Sequence, residues 1–164
     1  MAPVLLESVA ASIARTGVSH EVMPCDPELA DTAAFCEHYA IDPADSANTI
    51  LVVSKRPAGT MAACVVLATT RLDVNKAVCA ELGAKKASFA SAEQTTAATG
   101  MEIGGVTPFG LPASMPVYVD AGVMTRPRIV LGGGNRTSKL RIDPAALETL
   151  PGVRVIEGLA KPLA

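Results

Sequence analysis

Thr49-Ile50-Leu51-Val52-Val53, the turn Arg56-Pro57-Ala58-Gly59 and then Met61-Ala62-Ala63-Cys64-Val65-Val66-Leu67-Ala68 read as two β-strands joined by a tight turn. Aliphatic and β-branched residues dominate both runs, and the Pro-Ala-Gly break falls between them. Neither run alternates apolar with polar residues. Both faces of such strands are expected to be covered, which makes this a central hairpin.

Helices and further strands extend from that hairpin in both directions. Upstream, Leu5, Leu6, Val9 and Ile13 share one face of a helix over 4–15, which Gly17 stops. His20 to Met23 is a short strand, and Asp31 stands as the cap of a helix over 32–39. Downstream, Asp73 caps a helix carrying Val74, Val78 and Leu82, which Gly83 closes. A short strand over 86–89 follows. Ser91-Ala92-Glu93-Gln94 has capping-box spacing for a helix that ends at Gly100. Strands are expected at 117–119, 129–131, 140–142 and 153–156, with Asp143-Pro144 opening a helix that runs through Leu150. This irregular alternation points to a mixed α/β (α+β) fold with a mostly antiparallel sheet in its later half, and not to a doubly wound parallel one. No repeat or linker interrupts the chain, so residues 1–164 are expected to form a single domain.

Hydrophobic residues make up 49% of the chain and aromatic ones 3%, so Ala, Val, Leu and Ile must fill the core. The net charge of −2 gives no global drive toward nucleic acid; no DNA partner is expected, and any RNA contact needs a local basic patch. Cys25, Cys36, Cys64 and Cys79 form no CxxC pair and are expected as buried free thiols. No apolar run reaches the roughly 18 residues of a membrane span, and the N-terminus lacks a basic region followed by an apolar one. A soluble, cytoplasmic protein without a membrane partner is the expectation.

The densest backbone signal is Gly104-Gly105-Val106-Thr107-Pro108-Phe109-Gly110-Leu111-Pro112. Prolines fix φ and remove donors, while glycines allow positive φ and close approach of a ligand to the main chain. Gly132-Gly133-Gly134 follows a second apolar run, and the two loops are expected to face one pocket. The alternative is a pair of ordinary tight turns. Arg136-Thr137-Ser138-Lys139 sets cations and hydroxyls at the rim of the second loop, where a phosphate or ribose could lie. His20 and His38 stand in no metal-ligand pattern with the cysteines, and there is neither a P-loop nor a GxGxxG element. No metal and no cofactor is expected.

These segments together resemble the YbaK/EbsC family, free-standing relatives of the editing domain of bacterial prolyl-tRNA synthetases. The resemblance is carried by Asn48 to Val53, Met61 to Ala68, Asp73 to Ala77, Leu82 to Lys86, Ala90 to Glu93, Thr99-Gly100 and, most specifically, Gly104 to Gly110. It implies a barrel-like β-sheet surrounded by helices. It also implies a trans-editing deacylase that hydrolyses the ester of a wrong small amino acid, such as Cys or Ala, on tRNA-Pro. Aminoacyl-tRNA is then the partner, with prolyl-tRNA synthetase as a candidate second one. The family's G-x-x-x-P motif falls on Gly104 and Pro108. Gly104, Gly105, Thr107 and Pro108 are expected to shape the substrate pocket, Gly132, Gly133 and Gly134 to form its opposite wall, and Arg136 and Lys139 to touch the tRNA backbone. The family's lysine at the start of the first central strand is replaced by Asn48, an amide without charge that is expected to stand in the catalytic position and contact the substrate; Lys55 points to the other strand face. That departure keeps an alternative open: a non-catalytic module of the same fold that binds an aminoacyl-adenosine-like ligand or an RNA 3′ end.

Overall fold

The computed structural model describes residues 3–163. Helix α1 (Glu7–Thr16) leads into β1 (His20–Pro24) and α2 (Thr32–Tyr39). The hairpin follows as β2 (Ala47–Arg56) and β3 (Ala58–Leu67), paired antiparallel from Ala47 opposite Leu67. Then come β4 (Thr70–Leu72), α3 (Cys79–Leu82), β5 (Lys86–Phe89) and α4 (Ala92–Thr99). The later part holds β6 (Val117–Asp120), β7 (Ile129–Gly132), β8 (Ser138–Ile142), β9 (Val153–Ile156) and β10 (Ala160–Pro162).

The main sheet has five strands in the order β5-β2-β3-β6-β9, and a second has three in the order β1-β8-β7. Most pairings are antiparallel. The exception is β6, which runs parallel to β3 on one side and to β9 on the other. A parallel neighbour requires a long crossover connection, and the chain between Ala68 and Pro116, with α3, α4 and the Gly/Pro loop, supplies it. A single parallel bridge, Ser46 to Val130, links the two sheets; no closed barrel forms among the described residues.

The unbroken apolar run of β3 has a direct structural cause. Ala63, Val65 and Leu67 face a core shared with α1, Phe109, β7 and β8. Ala62, Cys64 and Val66 face a second one, shared with Val78, with Cys79 at the start of α3, and with Tyr118 and Leu159. Both faces are dry, so neither requires polar residues. A third, smaller cluster of Cys25, Ala30, Phe35, Cys36, Ile41 and Val130 seats α2 against the second sheet. All four cysteines are buried and free. In the second core, burial pushes the Cys64 thiol up to about 12.

Two expected helices take other forms. The segment after Asp73 begins as a wide turn, Val74–Val78, before α3. After Asp143-Pro144 the backbone makes a tight 3-10 turn, Pro144–Thr149, and not an α-helix. Asp143 still does what the sequence suggests: its carboxylate accepts the Ala145 N–H at 2.9 Å. The capping box of α4 forms in full, with Ser91 and Gln94 bonding each other's backbone N–H. No described helix is long and apolar enough to cross a membrane.

Candidate active site

A cavity of about 290 Å³ opens where the start of β2 meets α2, the Gly104 loop and the β7–β8 segment. Asp31, Thr32 and Phe35 form one wall, residues 46–51 a second, and Ile103, Gly104 and Val106 a third; Ala90, Thr95, Val130, Leu131, Gly132 and Lys139 complete it. Its size lies at the lower end of ordinary ligand pockets.

Its polar side chains are those of Asp31, Thr32, Ser46, Asn48, Thr49, Thr95 and Lys139. Asn48 Oδ1 accepts a hydrogen bond from the Thr32 hydroxyl, which leaves the amide NH2 as the free end of the side chain. The Thr49 hydroxyl is buried without a hydrogen-bond partner, an uncommon condition that a ligand can relieve. Asp31 is ion-paired to Arg136 at 3.3 Å and does not cap α2. Among the described residues, no histidine or cysteine lines the cavity. His38 is exposed and packs edge-on to Tyr39, with ring centroids 4.7 Å apart.

The two glycine loops meet, but only part of each reaches the cavity. Gly134 donates its N–H to Gly105 O at 2.7 Å, and Glu102 donates to Gly134 O at 3.1 Å. A side chain at Gly105 would run into the Asn135 carbonyl, and one at Gly132 into the Gly105 carbonyl. Close backbone contact therefore dictates these glycines. Of the expected pocket residues, Asn48, Gly104 and Gly132 line the cavity together. Gly105 lies behind it. Gly133 and Gly134 serve α1 instead: Gly133 O accepts the Leu6 N–H at 2.9 Å, and a Cβ on Gly134 would strike Leu6 and Val9. Thr107 is wholly buried with an unpartnered hydroxyl, outside the cavity wall. Pro108 lines a separate cavity of about 300 Å³, shared with Ser12, Arg15 and Gly110.

The cations at 136 and 139 are not free rim charges. Lys139 is 6% exposed; its ammonium donates to Ala30 O and to Gly104 O, each at 2.7 Å, and sits 5.3 Å from the centre of the Phe35 ring. Loss of water holds its pKa below the ordinary lysine value, with nearby Cys25 and Asp31 acting the other way. Arg136 donates to Pro27 O at 2.9 Å and to Ile103 O at 2.6 Å. The expectation of an exposed lysine ready for an RNA backbone is corrected on this point, because main-chain carbonyls from two distant segments enclose it. Sequence reading also missed Thr32, Phe35 and Thr49. The β-type run containing Thr49 was visible, but nothing local shows that α2 folds over its start.

Comparison with known proteins adds family and fold. The model of the aminoacyl-tRNA editing domain matches residues 26–150, which include every residue of the cavity wall. The crystal structure of "hypothetical protein APE2540" superposes with a TM-score of 0.83 at 23% identity, covering 94% of this chain and all of that one. That of "a putative trans-editing enzyme for prolyl tRNA synthetase" gives 0.77 at 21% identity, covering 94% of this chain and 98% of the other. These two likenesses establish the fold, and the match over residues 26–150 establishes more: the chain belongs to the aminoacyl-tRNA editing domain family.

Proposed function

We propose that this chain is an aminoacyl-tRNA deacylase that removes a small, wrong amino acid from tRNA, with tRNA-Pro as its first candidate substrate. The observation that carries the reading is the small cavity bounded by the Gly104 backbone, the Asn48 amide and the unpartnered Thr49 hydroxyl. The proline assignment takes its support from the structural neighbour described as a trans-editing enzyme for prolyl tRNA synthetase. Residues 1–164 are read as one editing domain, with the synthetase as a candidate partner.

Ester hydrolysis adds water to the carbonyl carbon and places negative charge on the carbonyl oxygen. Collapse of that intermediate breaks the bond to the ribose oxygen, which leaves with a proton as the amino acid departs. Preorganised neutral donors stabilise such an oxyanion. The free NH2 of Asn48 is one candidate. The Gly104 N–H is a second, since it donates to no acceptor among the described residues. The terminal ribose's own hydroxyl can orient the water, so the protein need not supply a histidine base. The wall of Phe35, Leu51, Val106 and Leu131 limits side-chain size, and discrimination of this kind is worth about 1–3 kcal/mol per methylene.

The test is a time course with tRNA-Pro charged with Cys, Ala, Ser or Pro. Release of one noncognate amino acid well above the spontaneous rate is expected, and Asn48→Ala should slow it about 100-fold. The uncharged Asn48 at the position of the family's lysine favours a second reading, a non-catalytic module that binds an aminoacyl-adenosine-like ligand or an RNA 3′ end. Tight binding of a non-hydrolysable aminoacyl-adenosine, with no release from any charged tRNA, would select it.

A further inference from the structure

Arg136 and Lys139 repeat one pattern. Arg136 bonds Pro27 O and Ile103 O; Lys139 bonds Ala30 O and Gly104 O. Each cation joins the lead-in to α2 with the Gly104 loop; Arg136 comes from the β7–β8 connection and Lys139 from the start of β8. The two joined segments are walls of the cavity, and Lys139 lies between them as part of its lining. No backbone hydrogen bond among the described residues joins residues 27–31 to residues 103–104 directly. The spacing of these walls is therefore carried by side chains.

The outer and inner braces differ in environment. The Arg136 side chain is 28% exposed and is also paired to Asp31, whose side chain is 72% exposed. Lys139 is 6% exposed, and a buried ammonium stripped of its carbonyls finds little water to replace them. A ligand pressing the walls apart must break at least one of the two Lys139 bonds. A ligand that fits leaves them intact.

We infer that Lys139 and Arg136 are positioning residues, a double brace that fixes the gap between the α2 lead-in and the Gly104 loop and so sets the upper size limit for the amino acid admitted to the cavity. The brace stands on the geometry alone. The size limit rests on the deacylase reading above.

Two readouts separate these parts. The first is amide hydrogen exchange on the unliganded protein. In Lys139→Met, which keeps the stem and removes the donors, amides of residues 28–35 and 102–106 should exchange at least about tenfold faster together, as loss of charge-assisted bonds implies. Amides of β3 should not change. If only one segment loosens, or neither does, the brace is refuted. Should Lys139→Met fail to fold, Arg136→Gln carries the same expectation with a smaller factor.

The second readout is the ratio of Pro to Ala release from tRNA-Pro. Lys139→Met should raise this ratio about tenfold, because a wider gap admits the larger ring. A merely structural residue would lower both rates and leave the ratio alone; that result, with both segments loosened, would refute the size limit. If the wild-type chain releases nothing from any charged tRNA, the deacylase reading and the size limit fall with it, while hydrogen exchange still decides the brace.

Discussion

The inner part of the hairpin β2–β3 and most of the segment from Gly132 to Lys139 are buried, and they are held by opposite means. The hairpin presents aliphatic side chains to a dry core on each face, and non-directional burial stabilises it. The turn has almost no apolar surface of its own. Glycine backbone packs against glycine backbone, and two cations reach carbonyls supplied by segments far away in the chain. Burial of area tolerates small shifts; a bond to a particular carbonyl does not. The scaffold is thus the forgiving part of this molecule, and the cavity wall is the exacting part.

Substitutions can break that contrast. Gly105→Val should have the largest effect, because its side chain would collide with the Asn135 main chain, and only a backbone shift could relieve it. A loss of at least about 3 kcal/mol is expected, read from urea denaturation or from the absence of folded protein. Leu140→Ala removes a fully buried side chain next to Lys139 and should cost about 2–3 kcal/mol, typical of a core truncation. If Gly105→Val were milder than Leu140→Ala, the turn would be the softer element and the contrast would reverse.

Alkaline pH sharpens the comparison through its sign. The Cys64 thiol, raised by burial from 9.0 to about 12, stays protonated in the folded chain while the unfolded chain ionises. Its contribution is complete below pH 9 and is lost as pH climbs toward 12. Burial raises Cys25 and Tyr118 in the same sense. Lys139 acts oppositely: its folded pKa lies below 10.5, so the unfolded chain binds more protons and the cost of burying it eases as pH approaches 10.5. Urea midpoints measured from pH 8 to 10.5 should fall, and Cys64→Ala should flatten that slope. A slope that Cys64→Ala leaves unchanged would remove the hairpin thiol as its source.

What could be read from the residues follows the same division. The two runs of the hairpin, the helix cap at Ser91, the cap at Asp143 (though of a 3-10 turn) and the thiols without pairing partners were all legible, because each depends on neighbours within a few positions. The contact between the two glycine loops was legible as a juxtaposition, and Gly104, Gly132 and Asn48 do meet at one cavity. The roles of Gly133, Gly134 and Pro108 were not, since α1 and the second cavity claim them. Lys139 was hardest of all. Beside a polar Arg-Thr-Ser run it looks solvated, and its acceptors, Ala30 and Gly104, lie 109 and 35 residues away. No local pattern carries that information.

Arg126 supplies the smallest and most discriminating test. It too links distant parts of the chain: its Nε and Nη2 each lie 2.8 Å from Asp45 Oδ1, tying the approach to β2 to the segment before β7. Its acceptor, however, is a carboxylate near the surface, and the two side chains are 35% and 37% exposed. Water can replace either partner, and salt screens the attraction over about 10 Å at 0.1 M. Arg126→Gln should therefore cost only about 0.5 kcal/mol, and less in 1 M salt. The effect of Lys139→Met on exchange should be indifferent to the same salt, because its acceptors are enclosed. If Arg126→Gln costs as much as Leu140→Ala, or if salt erases the Lys139 effect, then exposure is not what separates the two cations. The cavity brace would in that case be an ordinary surface contact.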